Sequence, residues 1–181
     1  MRRVTLDAVL PATPAETVFD QVVQFDRYPA LAPHVQSAQV LATLPEPTGR
    51  SRWELHFRSG LLRWTETEQF RRDQLRIEFA QTTGDFDTFA GHWQLRADGA
   101  DTALHFEADF DFGIDSLAGI LDPIAERVIR ETVAWVVVGM FPQARLDAAA
   151  APVPPAPGGA RAGAPVPSPP GAGRAPESPQ R

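Results

Sequence analysis

The chemistry available to this chain centres on two glutamates. In the stretch 62–70, Trp64 and Phe70 stand an even number of positions apart, so in an extended strand they share a face. Glu66 and Glu68 fall between them on that face, while Arg63, Thr65, Thr67 and Gln69 take the other. A carboxyl turned toward a core must find a partner or take up a proton, because desolvation disfavours its charged form. Two such groups, two residues apart, push one pKa upward, which suits a general acid/base that enolises a ketone. A bulge or a rim position would instead leave both solvated.

Other candidates stand around this pair. His34 follows Pro33 at the entrance to a strand and is either a pocket acid/base or a loop histidine. Arg127 and Arg130, on a long C-terminal helix, either offer counter-ions and a hold on a carbonyl or enolate oxygen, or belong to a solvated face. Tyr28 can donate its hydroxyl to a guest or pack against Pro29. His56, His92 and His105 alternate onto solvent faces. The histidines are isolated from one another and no Gly-rich loop follows a strand, so neither metal nor cofactor is expected. The absence of cysteine excludes disulfides and thiol catalysis.

The elements that must position these side chains follow from periodicity and punctuation. A first strand over 3–10 turns Val4, Leu6 and Ala8 to one side and stops at Pro11. Thr13-Pro14 reads as a helix N-cap with proline at the first helical position, and Glu16 suits the positive end of the dipole. Val18, Phe19, Val22 and Val23 form that helix's apolar stripe, and a short helical segment from Asp26 closes at Pro33. Strands follow over 35–44, 50–58, 62–71, 75–79, 86–96 and 102–112, joined by short turns such as Ser59-Gly60, Asp73-Gln74 and Asp98-Gly99. Leu75, Ile77 and Phe79 share one face of their strand. Leu104, Phe106, Ala108, Phe110 and Phe112 share one face of the last strand. The chain closes with a long helix capped by Asp115 or Ser116, with Leu117, Leu121, Ile124, Val128 and Trp135 at helical spacing, and ended by Pro142. The resulting class is α+β: an antiparallel meander with one wet and one buried face, wrapped on a long helix.

Composition bounds the rest. The 181 residues, 43% apolar and 9% aromatic, suffice for one domain with a real core. From residue 148 onward the chain is Pro-, Ala- and Gly-rich with no aromatic, so the expected division is a domain over 1–147 and a disordered tail over 148–181. All 17 basic residues are arginine and the net charge is −6; the tail carries +2, which leaves the body at −8. An acidic body argues against nucleic acid as partner. No apolar run reaches the roughly 20 residues of a membrane span. The N-terminus lacks the continuous apolar stretch of a signal peptide, and the expected location is cytoplasmic.

Wide side chains dominate the inward positions: Trp53, Phe57, Trp64, Phe79, Trp93 and Phe106 on strands, and Trp135 on the helix. They either pack as solid core or line a cavity for a flat apolar ligand. The element order, the segment Phe25-Asp26-Arg27-Tyr28-Pro29 to Pro33, Gly84-Asp85-Phe86 leading to Trp93, and the final Phe141-Pro142 resemble the START/Bet v 1-like helix-grip superfamily. The likeness lies with its polyketide cyclase/dehydrase and coenzyme Q-binding branches and covers 1–147. The resemblance implies a helix-grip fold, with a curved antiparallel sheet of six to seven strands around the long C-terminal helix and two short helices after the first strand. It also implies a hydrophobic small molecule in the cavity, either a poly-β-ketone chain undergoing aldol cyclisation and dehydration or a quinone-like or isoprenoid lipid that is only carried. The expected ligand-binding set is Tyr28, Trp53, Phe57, Trp64, Phe79, Trp93, Phe106, Arg130 and Trp135, with Glu66, Glu68 and His34 as catalytic candidates. An acyl carrier protein is the partner that a polyketide substrate would bring. In the aromatase/cyclases a strand arginine lies beside a cavity tryptophan; aligned from Trp64, that position here is Glu68, an acid in place of a base.

Overall fold

The computed structural model describes residues 1–148, so the expectation for the tail falls, from residue 149, outside the described residues. The element order is β1 (Arg2–Leu10), α1 (Ala15–Val22), a 3₁₀ turn (Phe25–Arg27), α2 (Tyr28–Leu31), β2 (Val35–Ala42), β3 (Thr48–Phe57) and β4 (Gly60–Arg71). There follow β5 (Arg76–Gly84), β6 (Thr88–Asp98), β7 (Asp101–Asp111), α3 (Asp115–Met140) and a two-residue β8 (Arg145–Leu146). The strands form one antiparallel sheet in the order β2-β3-β4-β5-β6-β7-β1-β8. The meander β2 to β7 is therefore closed by β1, which pairs with β7 along its whole length. The helix-grip class holds; β8 is the addition, too short to leave a periodic signal.

Alternation decides which face is dry. In β1 Val4, Leu6, Ala8 and Leu10 are buried with exposed residues between them. In β7 Leu104, Phe106 and Ala108 are buried opposite Ala8, Leu6 and Val4, and Phe110 is buried opposite Arg2. Against this face lies α3, whose buried positions run from Ala125 through Val128, Ile129, Val133 and Val137 to Met140. Gly91 makes the close packing possible. A Cβ there would stand 2.1 Å from the Glu107 carbonyl oxygen and 2.7 Å from the Phe79 ring, so only hydrogen lets that ring lie across β6.

Several local expectations need correction. Thr13 caps nothing: α1 starts at Ala15 after Pro14, and the Thr13 hydroxyl donates to the Pro11 carbonyl at 2.9 Å. Leu75 is not a strand residue, because the 3₁₀ turn Arg72–Gln74 before it ends in a left-handed backbone at φ 51°. Helix α3 begins at Asp115 with Ile114 preceding it and no side-chain cap. Its first turns do not join the core, since Leu117 and Ile120 are 40% and 57% exposed, and the buried stripe starts one to two turns later.

Candidate functional site

Between the sheet and α3 lies a cavity. Its sheet wall carries Trp53 and Leu55 from β3, Trp64 and Glu66 from β4, and Phe79, Phe89, Trp93 and Phe106 from β5 to β7. Its other walls are Phe25 and Tyr28 before β2, Val35 on β2, and Ile129, Thr132 and Val133 on α3. The cavity, open to one side, offers about 70 Å³ of space, and about 560 Å³ when the open region around it is included. At about 10–15 Å³ of such space per water, roughly five waters fit inside. That scale matches one or two aromatic rings; a longer guest must extend through the mouth.

Ring geometry shapes the walls. Trp53 and Trp64, directly paired across β3 and β4, stack with centroids 5.9 Å apart and planes 7° from parallel. Phe79 and Phe106 are similarly parallel at 6.0 Å and 12°. Trp93 meets Phe106 edge-on at 4.8 Å. The flat slot between sheet and helix is therefore bounded by rings held against one another rather than free to collapse inward.

The two carboxyls are both inside. Glu66 is 5% exposed and Glu68 fully buried on the face of Trp64 and Phe70, while Thr65, expected on the water face, is buried as well. The register shift beside Glu66 is absorbed on β5, where Thr65 and Glu66 pair with Thr83 and Gln81. Glu66 lines the cavity and accepts a hydrogen bond from the Trp64 indole at 2.6 Å. Burial pushes its pKa up to about 8, the indole opposing and the neighbouring Glu68 adding to the rise. Glu68 sits behind the lining. Its Oε1 meets the Ser51 hydroxyl, which also accepts from the Trp53 indole at 2.7 Å. Its Oε2 is buried without a hydrogen-bond partner among the described residues. Burial raises Glu68 to about 7, against the pull of Ser51. Room for this carboxyl comes from Gly49, where a Cβ would lie 2.7 Å from Oε2.

The two hydroxyls of the lining are occupied. The Tyr28 hydroxyl is buried and donates to the Val22 carbonyl at 2.8 Å, and burial holds its pKa well above the ordinary range. The Thr132 hydroxyl donates to the Val128 carbonyl at 2.7 Å. Glu66 is thus the one titratable lining group whose pKa lies near neutrality.

The structure brings Tyr28, Trp53, Trp64, Glu66, Phe79, Trp93 and Phe106 together and leaves the other candidates outside the lining. Phe57 is half-buried against Phe112 at 5.8 Å, toward the hairpin end of β3. Arg130 binds Glu126 at 2.7 Å, a partner one helical turn away, and so is no counter-ion for the glutamate pair. Arg127 is exposed. His34 forms a 2.8 Å pair with Glu131 on α3 and packs 4.8 Å from Trp135, whose indole nitrogen is buried without a partner among the described residues. That cluster flanks the cavity residues Val35 and Thr132. Sequence reasoning missed Ser51 and Phe89, although period two places Ser51 with Trp53 and Phe89 with Trp93. It also missed Thr132, which no pattern distinguishes from a solvated helix position. Among the described residues no cluster of three or more acidic or histidine side chains could hold a metal ion, and no helix is long and apolar enough to cross a membrane.

Comparison with known proteins matches residues 11–136 to the family described as polyketide cyclase / dehydrase and lipid transport. The chain belongs to this family. No curated protein matches it. Among solved structures, a protein of Thermus thermophilus is 24% identical with a TM-score of 0.69, over 78% of this chain and 95% of that one. An aromatase/cyclase from Streptomyces sp. R1128 is 20% identical with a TM-score of 0.64, over 78% and 93%. A START superfamily protein from Mycobacterium smegmatis is 18% identical with a TM-score of 0.64, over 78% and 97%. At these identities the likeness carries the fold.

Proposed function

We propose that this protein is a polyketide cyclase of the aromatase type, which holds a poly-β-ketone chain in the aromatic slot and promotes aldol closure and loss of water. The observation that supports this reading is Glu66, a carboxyl on an otherwise apolar ring-lined wall with a pKa of about 8. At pH 7 a minority of the molecules carry it ionised. In that form it takes a proton from a carbon flanked by two carbonyls, an acidic position that needs no stronger base. The enolate carbon closes on a second carbonyl carbon, and the new alkoxide takes the proton back from Glu66. A second proton removal beside the new carbinol, with departure of its hydroxyl as water, leaves the double bond. Flat walls contribute by holding the reacting carbons near attack geometry. Glu68, behind the lining, acts through Glu66 by disfavouring a second charge.

The test is turnover of a synthetic poly-β-ketone thioester, followed by the absorbance of the aromatic product. The wild type should accelerate ring formation over the uncatalysed rate, and Glu66→Gln should lose about 10²–10⁴-fold. No acceleration by the wild type refutes the reading.

A carrier of a quinone-like or isoprenoid lipid is the second reading. It is favoured by the lack, among the described residues, of a cationic side chain in the lining to stabilise an enolate oxygen, and by the family's description, which includes lipid transport. Binding of such a lipid with no rate effect on the thioester would select it.

A further inference from the structure

The cavity's polar inventory restricts the charge state of its guest. Among the described residues no arginine or histidine lines it, and two candidates outside the lining are engaged elsewhere: Arg130 with Glu126 and His34 with Glu131. The Tyr28 and Thr132 hydroxyls each donate to a backbone carbonyl. The titratable group left facing the slot is the Glu66 carboxyl, which in its protonated form offers one O–H, beside the Trp93 indole N–H of the lining.

We propose that the site selects uncharged planar ketones, which accept a hydrogen bond from the Glu66 carboxyl, and rejects carboxylates of the same shape. This deepens the proposed function and rests on the reading of the cavity as a binding site. A carboxylate entering the slot would lose its hydration and find rings on most sides, no counter-ion, and a carboxyl in front of it.

The Glu66 proton also gives ketone binding a pH dependence. The groups that bear on its titration are Glu68 on the same strand and Tyr28 on α2, whose phenol stays protonated across the range used; the α3 wall presents only Ile129, Thr132 and Val133. As pH rises through about 8, Glu66 changes from donor to anion and the ketone loses its partner.

The probes are 2-acetonaphthone and 2-naphthoate, near-isosteres that differ in charge, bound to the full-length chain and measured by equilibrium dialysis. At pH 6.5 the ketone should bind and the carboxylate should be at least about 100-fold weaker, equivalent to about 2.7 kcal/mol. Between pH 7 and 9.5 the ketone affinity should fall about tenfold in the wild type and stay level in Glu66→Gln. Ketone and carboxylate affinities within threefold of each other would overturn the selectivity while leaving the cavity reading intact. Binding of neither probe would overturn both.

Discussion

Replacing Glu66 by glutamine should make the protein more stable at pH 8, not less. Glu66 ionises with a pKa of about 8 in the fold against an ordinary 4.5. The native state therefore holds the proton to higher pH than the unfolded chain does. Its stabilising contribution is complete below 4.5 and is lost as pH rises through about 8. At about 1.4 kcal/mol per pH unit the whole span corresponds to at most about 5 kcal/mol, a large share of a typical folding free energy. Glutamine keeps the size and the hydrogen-bonding capacity but never ionises, so the variant loses this slope. Glu68, with its own pKa of about 7, adds a similar slope over a shorter pH span in both proteins. Urea unfolding followed by tryptophan fluorescence at pH 5, 6, 7 and 8 measures the difference. The wild type should lose up to about 4 kcal/mol more than the variant over that range. The outward histidines and ion pairs are common to both proteins and cancel. Two stability curves that run parallel from pH 5 to pH 8 would refute the claim that burial holds Glu66 protonated.

Three further substitutions probe the neighbours. Trp64→Phe removes the 2.6 Å indole donor that favours the Glu66 anion, so the Glu66 titration midpoint should move upward by about one pH unit, readable by carboxyl ¹³C NMR. Ser51→Ala strips a hydrogen-bond partner from both Glu68 and the Trp53 indole; unfolding should show a loss of about 1–3 kcal/mol at pH 7, with 2-acetonaphthone affinity within about twofold because Ser51 is not in the lining. Arg130→Gln breaks a partly exposed pair with Glu126 and should cost under about 1 kcal/mol, and a tenfold loss of ketone affinity in this variant would place the arginine in the site after all.

The strands were legible because inner and outer residues alternate in β1 and β7, and in β4 apart from Thr65, which was expected to face water and is buried beside the register shift. The alternation that puts Glu66 and Glu68 beside Trp64 and Phe70 survives because the β5 strand takes up the register shift. The helix was legible in extent but not in facing. Leu117 sits at core spacing with Leu121 and Ile124 yet is exposed, since spacing along a helix reports a face and not whether the sheet reaches it. Arg130 was misplaced for a related reason: a guanidinium on a long side chain takes the nearest carboxylate, and Glu126 lies one turn back. The sequence held no sign that Tyr28 would spend its hydroxyl on the Val22 carbonyl, a contact made by the tight path between α1 and α2. The 70 Å³ void is the least legible feature of all, because rings at inward positions look the same whether or not they meet.

The most direct measurement is the ¹³C resonance of the Glu66 side-chain carboxyl, assigned by comparison with Glu66→Gln and followed against pH with and without 2-acetonaphthone. A midpoint near 8 in the free protein, and a resonance displaced when the ketone is added, would establish a buried protonated carboxyl in contact with the guest. A midpoint near 4.5 that the ketone leaves unmoved would contradict the account.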